Sequence, residues 1–532
     1  MTFSVDEVVG RVTRSAIAAT IVEIAMVFNM KRMNLNLAIA GVILSCLALQ
    51  AAERPNILVF LVDDMGMMDT SVPFMADDDG RPERHPLNEL YRTPNMERLA
   101  RQGIRFNQFY ANSVCSPSRV SIIRGQSSAR HRVTQFIRPE TNNAGDFGPQ
   151  DWQWEGIAPG VVTLPAILRH QGYRTIHSGK AHFGPVGSFG ELPQNFGFDV
   201  NIAGCAYGQP GSYYGEDHFG YAKKGRERRA VPGLQKYHGQ DIHLSEALTL
   251  EINEAIRDAV EDKEPFFAYM SHYAVHTPFQ PDERFAANYE HLDLKPNAKA
   301  FATLIEGMDK SLGDILDQLE RLGVAENTLV FFLGDNGTDA PLGDSHAIAC
   351  AAPLRGKKAT HYEGGLRVPF IAAWAKLDEA SDLQKALRIP ADRLSDQVGT
   401  VHDIFPTILG VSGIETKEMV DGADLSPALE GGTLDRMPEF LMHFPHQHRS
   451  SYFTSYRLGD WKVIYHYHNE GPERYELYNL ADDRSESNNL AGSRKGELQR
   501  MMRGMIEALS EAGAQFPLAL DGSGRTLKPE MP

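Results

Sequence analysis

Two pairs of oxygen-bearing side chains, Asp63-Asp64 and Asp335-Asn336, each stand directly after a run of apolar residues. Adjacent carboxylates repel one another, so a divalent cation is the natural means of keeping several ionised together. An all-oxygen set suits Ca2+, with Mg2+ as the alternative, rather than zinc. No cysteine pair has metal-binding spacing, which excludes zinc held by thiolates. Taken singly, either pair would serve as a helix cap or a turn. Between them lies Cys115-Ser116-Pro117-Ser118-Arg119, with Arg119 one helical turn beyond Cys115, near enough to fold its guanidinium back. A helix starting near Pro117 would aim free backbone N–H groups at developing negative charge. The plainer reading of the same run is a buried free cysteine before a Pro-started helix. Lys180 and His182 alternate along an extended segment, which puts both heads on one side. His276 follows another apolar run, and Lys358 closes Leu354-Arg355-Gly356-Lys357-Lys358. Each of these, alone, is as well explained by a surface or structural role.

The pentapeptide at Cys115 resembles the signature of the formylglycine-dependent sulfatases, in the alkaline-phosphatase superfamily. Further runs resemble that family in its usual order: Gly172-Tyr173-Arg174-Thr175 with Gly179-Lys180-Ala181-His182, Ala274-Val275-His276-Thr277-Pro278, and Glu363-Gly364-Gly365 after Lys358. The resemblance implies that a maturation enzyme oxidises Cys115 to formylglycine. One hydroxyl of the hydrated aldehyde then attacks the sulfur of a sulfate ester, and the other later expels sulfate. It implies one Ca2+ held by Asp63, Asp64, Asp335 and Asn336 and completed by the modified Cys115. Arg119 would hold the deprotonated hydrate, Lys180 would bridge nucleophile and sulfate, and His182 would be the base that releases sulfate. His276 would protonate the leaving oxygen and Lys358 would bind the sulfate, with His272 close behind His276. The family's usual Thr-Gly is Arg124-Gly125 here, and its usual Gly before the sulfate lysine is Lys357.

These groups need elements to place them. Asn56 to Val62 is apolar throughout, as a strand buried on both faces requires. Phe266 to Met270, Leu329 to Leu333 and a short stretch near Tyr173 to Ile176 read as further strands. Helices are expected from Pro94 to Gly103 and from Thr163 to Gln171. Phe301, Leu304, Ile305, Met308, Leu312, Ile315, Leu316 and Leu319 keep helical spacing, with Asn297 as the expected cap and Gly323 as the stop. Strands alternating with helices give an α/β fold, a large mostly parallel sheet flanked by helices, whose sites gather at carboxyl ends of strands. From Pro438 the texture changes to short antiparallel strands, Trp461 to Tyr467 and Glu476 to Leu480, followed by a helix with Leu498, Met501, Met502, Met505 and Leu509 on one face. This resembles the small C-terminal subdomain of sulfatases. The expected division is 1–52 as a misassigned extension plus signal peptide, 53–437 catalytic, 438–520 the C-terminal subdomain, and 521–532 a loose tail.

The chain has 532 residues, 42% hydrophobic and 23% charged, with a formal net charge of -16. The acidic balance and the lack of a long basic face exclude nucleic acid as a partner. The short basic run from Lys223 to Arg229 reads as a solvated loop that would still attract a sulfated polymer. Lys31-Arg32, the apolar Leu37 to Leu49 and Gln50-Ala51-Ala52 form an export signal, which makes Met30 or Met33 the start and places the protein in the periplasm or outside the cell. Its core is too short for a stable membrane span. Ile43-Leu44-Ser45-Cys46 offers a lipoprotein box, disfavoured because apolar residues continue beyond it. Cys205 and Cys350 could pair once Cys115 is modified. The expected activity is an exported sulfatase that cleaves a sulfate ester on a sugar. The expected partners are a sulfated carbohydrate and the maturation enzyme. Two rivals stand beside this: a phosphodiesterase or phosphonate monoester hydrolase of the same superfamily, and a non-catalytic sulfoglycan-binding protein. His443-Phe444-Pro445-His446, Arg449 and the loop Gly208 to Tyr214 are candidates for substrate recognition that name no sugar.

Overall fold

The strand Asn56–Val62 (β1) has no exposed residue, and its alternate side chains enter two different apolar layers. Leu58, Phe60 and Val62 pack with Phe301, Leu304, Met308 and Leu312 of the helix Pro296–Arg321. Ile57, Val59 and Leu61 pack with Val120, Ile122 and Ile123 of the helix Cys115–Arg124 and with Leu164 and Leu168. A strand apolar at every position is thus the middle of a helix–sheet–helix sandwich. The computed structural model describes residues 54–221, 229–343 and 350–532. The expected signal segment and all but Arg229 of the basic run lie outside the described residues. No helix among the described residues is long and apolar enough to cross a membrane.

The remaining strands of the large sheet are Gly103–Tyr110 (β2), Arg174–Gly179 (β3), Val200–Ile202 (β4), Phe266–Ser271 (β5), Thr328–Gly334 (β6), Phe370–Trp374 (β7) and Arg393–Thr400 (β8). Their order across the sheet is β8-β2-β7-β6-β1-β5-β3-β4. All neighbours run parallel except β7, which is antiparallel to both β2 and β6. The expected α/β sheet is therefore present, and β6, β1, β5 and β3 end side by side.

Boundary differences have local causes. The long helix starts at Pro296 with Lys295 as its cap, so Asn297 lies inside its first turn, where Pro at the first position already sets the backbone. Gly323, at φ 69°, takes the left-handed turn just past its end. The Cys115 helix begins at Cys115 rather than near Pro117, because proline is tolerated within a first turn whose N–H groups have no helical partner.

A second sheet is antiparallel and four-stranded: Glu439–Phe444 (β9), Phe453–Leu458 (β10), Trp461–His466 (β11) and Tyr475–Asn479 (β12). The helix Lys495–Glu511 packs Leu498, Met501, Met502, Met505 and Leu509 against one of its faces. The last residues are held rather than loose. Leu527 N–H donates to Pro517, Tyr475 Oη donates to the Glu530 carbonyl, and Arg474 pairs with the Glu530 carboxylate.

The seam between the two sheets is apolar around Tyr110, Val114, Leu366, Phe440, Phe453 and Ile464. Inside it, Lys462 Nζ lies 2.9 Å from Glu363 Oε1 and 2.7 Å from Glu486 Oε1, all three side chains being about fully buried. Burial would raise Glu363, but Lys462 and then Arg367 bring it down to about 2, while burial pushes Glu486 up to about 7 against Lys462. Removing the cation would leave two buried carboxylates facing each other. Lys462→Ala should cost about 3–5 kcal/mol in urea unfolding, and a loss no larger than the ~1 kcal/mol of an exposed pair would show that the seam does not depend on it.

Candidate active site

The four adjacent parallel strands deliver their following residues to one edge of the sheet. Asp63 and Asp64 follow β1, Asp335 and Asn336 follow β6, Lys180 and His182 follow β3, and His276 lies five residues beyond β5. Cys115 arrives at the first position of its helix, just after β2, and Lys358 precedes β7. All of the expected site residues therefore meet in one place, linked as follows.

Lys180 Nζ lies 2.7 Å from Asp63 Oδ2, and Lys358 Nζ lies 2.6 Å from Asp64 Oδ1. Arg119 donates through Nε to Asp335 Oδ2 at 2.9 Å, and through a terminal nitrogen to Ser271 Oγ and the Lys180 carbonyl. Asp64 N–H donates to Asp335 Oδ1, and Asn336 Nδ2 donates to Asp64 Oδ1, both at 3.0 Å. Three carboxylates thus face three cations, with no member more than 7% exposed. Burial would raise Asp64, but Lys358 and then His276 hold it well below the carboxylate range. Burial, seconded by Asp63, pushes Asp335 up to about 6 against Arg119. Burial also raises Asp63 against the opposing pull of Lys180.

Cys115 Sγ lies 3.4 Å from His182 Nδ1, which is also 3.2 Å from Ser116 Oγ. The other ring nitrogen of His182 lies 2.7 Å from the Ile137 carbonyl, which only accepts, so Nε2 carries the hydrogen and Nδ1 a lone pair. Burial and then Lys180 keep this ring neutral far below its ordinary range. Burial raises the Cys115 thiol, and a thiol kept protonated is a poor nucleophile. Asp64 and His182 both hold positive φ, 63° and 59°. Strain of this kind gathers where the surroundings over-determine a side chain's position. The positive φ also shows that Lys180 and His182 do not reach the site by simple alternation, since β3 ends at Gly179 and the chain turns at His182. Gly208 covers His182 so closely that an added Cβ would stand 2.6 Å from ring carbon Cε1. His276 donates from Nδ1 to the Thr277 carbonyl at 2.9 Å, which leaves Nε2 facing Asp64 Oδ2 at 3.6 Å. Burial and then Lys358 push His276 down to about 4.

The donor set suits a hard divalent cation. Asp63 Oδ1 and Asn336 Oδ1 are buried acceptors without a hydrogen-bond partner, and ligand atoms of Asp63, Cys115 and Asp335 lie within 4.8 Å of one another. A cation among these three would satisfy Asp63 Oδ1 and relieve the upward push on Asp63 and Asp335.

Other expectations fall elsewhere. His272 bonds Ser311 of the long helix at 3.0 Å and packs against Phe60 with the two rings tilted, so it belongs to the core rather than beside His276. Cys205 keeps a free thiol 3.7 Å from Tyr273 Oη, so the Cys205–Cys350 pair does not form. His443 and His446 are buried and bonded to Thr454 and Thr134. Tyr213 Oη donates to the carbonyls of Tyr273 and His276, fixing the His276 turn from below. One group was not foreseen: Asp339 binds Lys357 Nζ at 2.9 Å and both terminal nitrogens of Arg449, beside Lys358. Nothing in the spacing signals this, because Arg449 arrives from beyond β9.

A family model described as Sulfatase matches residues 55–414, and one described as N-sulphoglucosamine sulphohydrolase, C-terminal, matches 357–512. The N-acetylgalactosamine-6-sulfatase of Canis lupus familiaris is 29% identical over 433 residues, 78% of this chain and 72% of that one. A sulfatase of Formosa agariphila is 27% identical over 499 residues, 83% of this chain and 85% of its own. The crystal structure of Ps i-CgsB in complex with k-i-k-neocarrahexaose superposes with a TM-score of 0.67 at 22% identity, covering 86% of this chain and 93% of that one. The phosphonate monoester hydrolase of Agrobacterium radiobacter gives 0.55 at 17%, covering 86% and 95%. At these identities the structural likeness is one of fold. The family match spans well over half of the chain, from the first strand through the whole set of buried acids and bases, and the chain belongs to the sulfatase family, hydrolases of sulfuric esters.

Proposed function

We propose that this protein is an exported carbohydrate sulfatase in which Cys115 is matured to formylglycine by a partner enzyme. The observation that carries this reading is the meeting of Asp63 and Asp335 with Cys115, to which Asp64 and Asn336 are tied by hydrogen bonds, with the lone pair of His182 Nδ1 beside the Cys115 sulfur. A protonated thiol cannot itself attack sulfur efficiently, which supports oxidation of Cys115 before the site works. Residues 53–437 would form the catalytic part and 438–520 the subdomain that brings Arg449 to its rim. Relatives named for N-acetylgalactosamine-6-sulfate, and a neighbour held with a neocarrahexaose, support a sugar as the substrate. Lys31-Arg32 and the apolar stretch after it support export to the periplasm or the medium.

Asp63, Asp64, Asp335, Asn336 and residue 115 would hold Ca2+, with Mg2+ as the alternative. When in place, the cation would polarise the sulfate, and the hydrated aldehyde would offer one hydroxyl for attack and another for release. Arg119 fixes Asp335 and presents a buried positive charge at the attacking oxygen. Lys180 and Lys358 surround the sulfate oxygens with charge that stabilises the shift toward the leaving oxygen. His276, neutral at rest with its hydrogen on Nδ1, must first take up a proton at Nε2, and it delivers that proton to the departing alcohol; His182 accepts one at Nδ1 when sulfate is released, its Nε2–H anchored on the Ile137 carbonyl. The balance is one water consumed, with alcohol, sulfate and one proton produced.

Protein shown by mass spectrometry to carry the aldehyde should release sulfate from a panel of sulfated algal and glycosaminoglycan oligosaccharides, and Cys115→Ala should not. Faster cleavage of a phosphodiester than of every sulfate ester would replace this reading by the phosphohydrolase one. Glycan binding that persists in Cys115→Ala, with a thiol found in the parent protein, would replace it by a binding role. His276→Ala should lower kcat on an alkyl sulfate by about 10²–10⁴-fold and much less on a nitrophenyl sulfate, whose leaving group needs no proton; equal losses would remove His276 from that role. Chelation should abolish turnover and Ca2+ restore it. Asn336→Ala should need at least about 10-fold more Ca2+ for the same rate, and an unchanged requirement would take Asn336 out of the metal set.

A further inference from the structure

Three ligating side chains meet on the seam between the two sheets, outside the set that surrounds Cys115. Ile464 of β11 stands opposite Glu476 of β12, so His466, two residues on, is the diagonal neighbour of Glu476 on the same face. The third, His361, comes from the connection that carries Lys358 into β7. His466 Nε2 lies 2.7 Å from Glu476 Oε1, and His361 Nε2 lies 3.8 Å from the same oxygen. Ligand atoms of all three fall within 4.8 Å of one another.

His361 is what a hydrogen-bond network alone does not explain. It is 7% exposed, and neither of its ring nitrogens has a partner. A buried polar group left in that state costs about 1–3 kcal/mol. Its ring is fixed between Tyr362, Phe453 and His466, at centroid separations of 4.1, 4.9 and 4.9 Å. Burial and then His466 keep it neutral far below its ordinary range, and neutral imidazole is the ligating form. Burial would raise Glu476, but hydrogen bonds from His466 and Tyr478 bring it down to about 2, so it is a carboxylate. Tyr362 Oη, 3.0 Å from Glu476 Oε2, and Tyr478 Oη orient that carboxylate from behind, as outer partners of metal ligands do. Glu476 also lines a surface cavity of about 520 Å3 with Arg355, Tyr362 and Tyr478.

We infer that His361, His466 and Glu476 form a second metal site, for Zn2+ or a like divalent transition ion, which clips the Lys358 segment to the C-terminal sheet. Two imidazoles and one carboxylate suit zinc and not Ca2+. Tetrahedral coordination at zinc bond lengths places ligand atoms ~3.3 Å apart. The separations from Glu476 to the two imidazoles bracket that value, and the third pair of ligand atoms lies within 4.8 Å. Binding would replace the His466–Glu476 hydrogen bond and give His361 its missing partner.

The test uses the full chain carrying Cys115→Ala, which removes the thiol beside Asp63 and Asp335. The protein is stripped with a chelator, reloaded with Zn2+ and counted by elemental mass spectrometry, and reloaded separately with Co2+ for visible absorption. One tightly held zinc and the intense bands of tetrahedral Co2+ are expected. Both should be lost, or the zinc Kd weakened at least about 100-fold, in His466→Gln and in Glu476→Gln. Gln can still hydrogen-bond at either position, and circular dichroism reports whether each variant is folded. No zinc in the parent, or undiminished zinc in both folded variants, overturns the site. Ca2+-dependent sulfate release by protein with intact Cys115 is a separate readout, and its failure would bear on the active site and not on this one.

Discussion

Taking three carboxylates out of water is costly unless opposite charge is fixed within bonding distance of each. Here Asp63 is met by Lys180, Asp64 by Lys358 and Asp335 by Arg119, and none of the six is exposed by more than 7%. The arrangement makes demands on everything around it. The carboxylates must come from neighbouring strands, which is why β6 and β1 are adjacent. The cations must come from three other places: a helix start, the end of β3 and the approach to β7. The apolar strands, the two helix layers and the left-handed turns at Asp64 and His182 position this cluster, and removing any one charge would leave its partner buried alone.

Sequence patterns gave access to whatever depends on nearest neighbours. Asn56 to Val62 is legible because a strand covered on both faces has no polar position to confuse it. The long helix is legible because eight apolar residues keep one spacing over about five turns. Its start is less so: Asn297 has the better capping side chain, but Pro296 restricts the backbone one residue earlier, and covalent geometry prevails over a hydrogen bond of modest net worth. Cys115, Asp63 and their companions are legible through short motifs, although the route by which His182 reaches Cys115 is not, since the turn at φ 59° is imposed by packing against Gly208 and Ile137.

What stays hidden is the long-range polar pairing. Glu363 with Lys462 and Glu486, and Asp339 with Arg449, join residues about a hundred or more positions apart. No local rule links them. His272 shows the same limit from the other side, because its place in sequence beside His276 says nothing of the strand geometry that sends its ring to Ser311.

The reversed direction of β7 has a further consequence. Phe370, at its start, pairs with Leu333, at the end of β6. The chain therefore enters β7 at the reactive edge of the sheet and leaves it, after Trp374, at the opposite edge. In a strand running with its neighbours, the segment before it would belong to the inert edge. One reversal thus exchanges the two ends of a connection between tolerance and constraint. Length changes after Trp374 are remote from chemistry, whereas one residue added between Lys358 and Phe370 would displace a charge from the buried balance. The evolutionary freedom of this part of the chain is set by strand polarity.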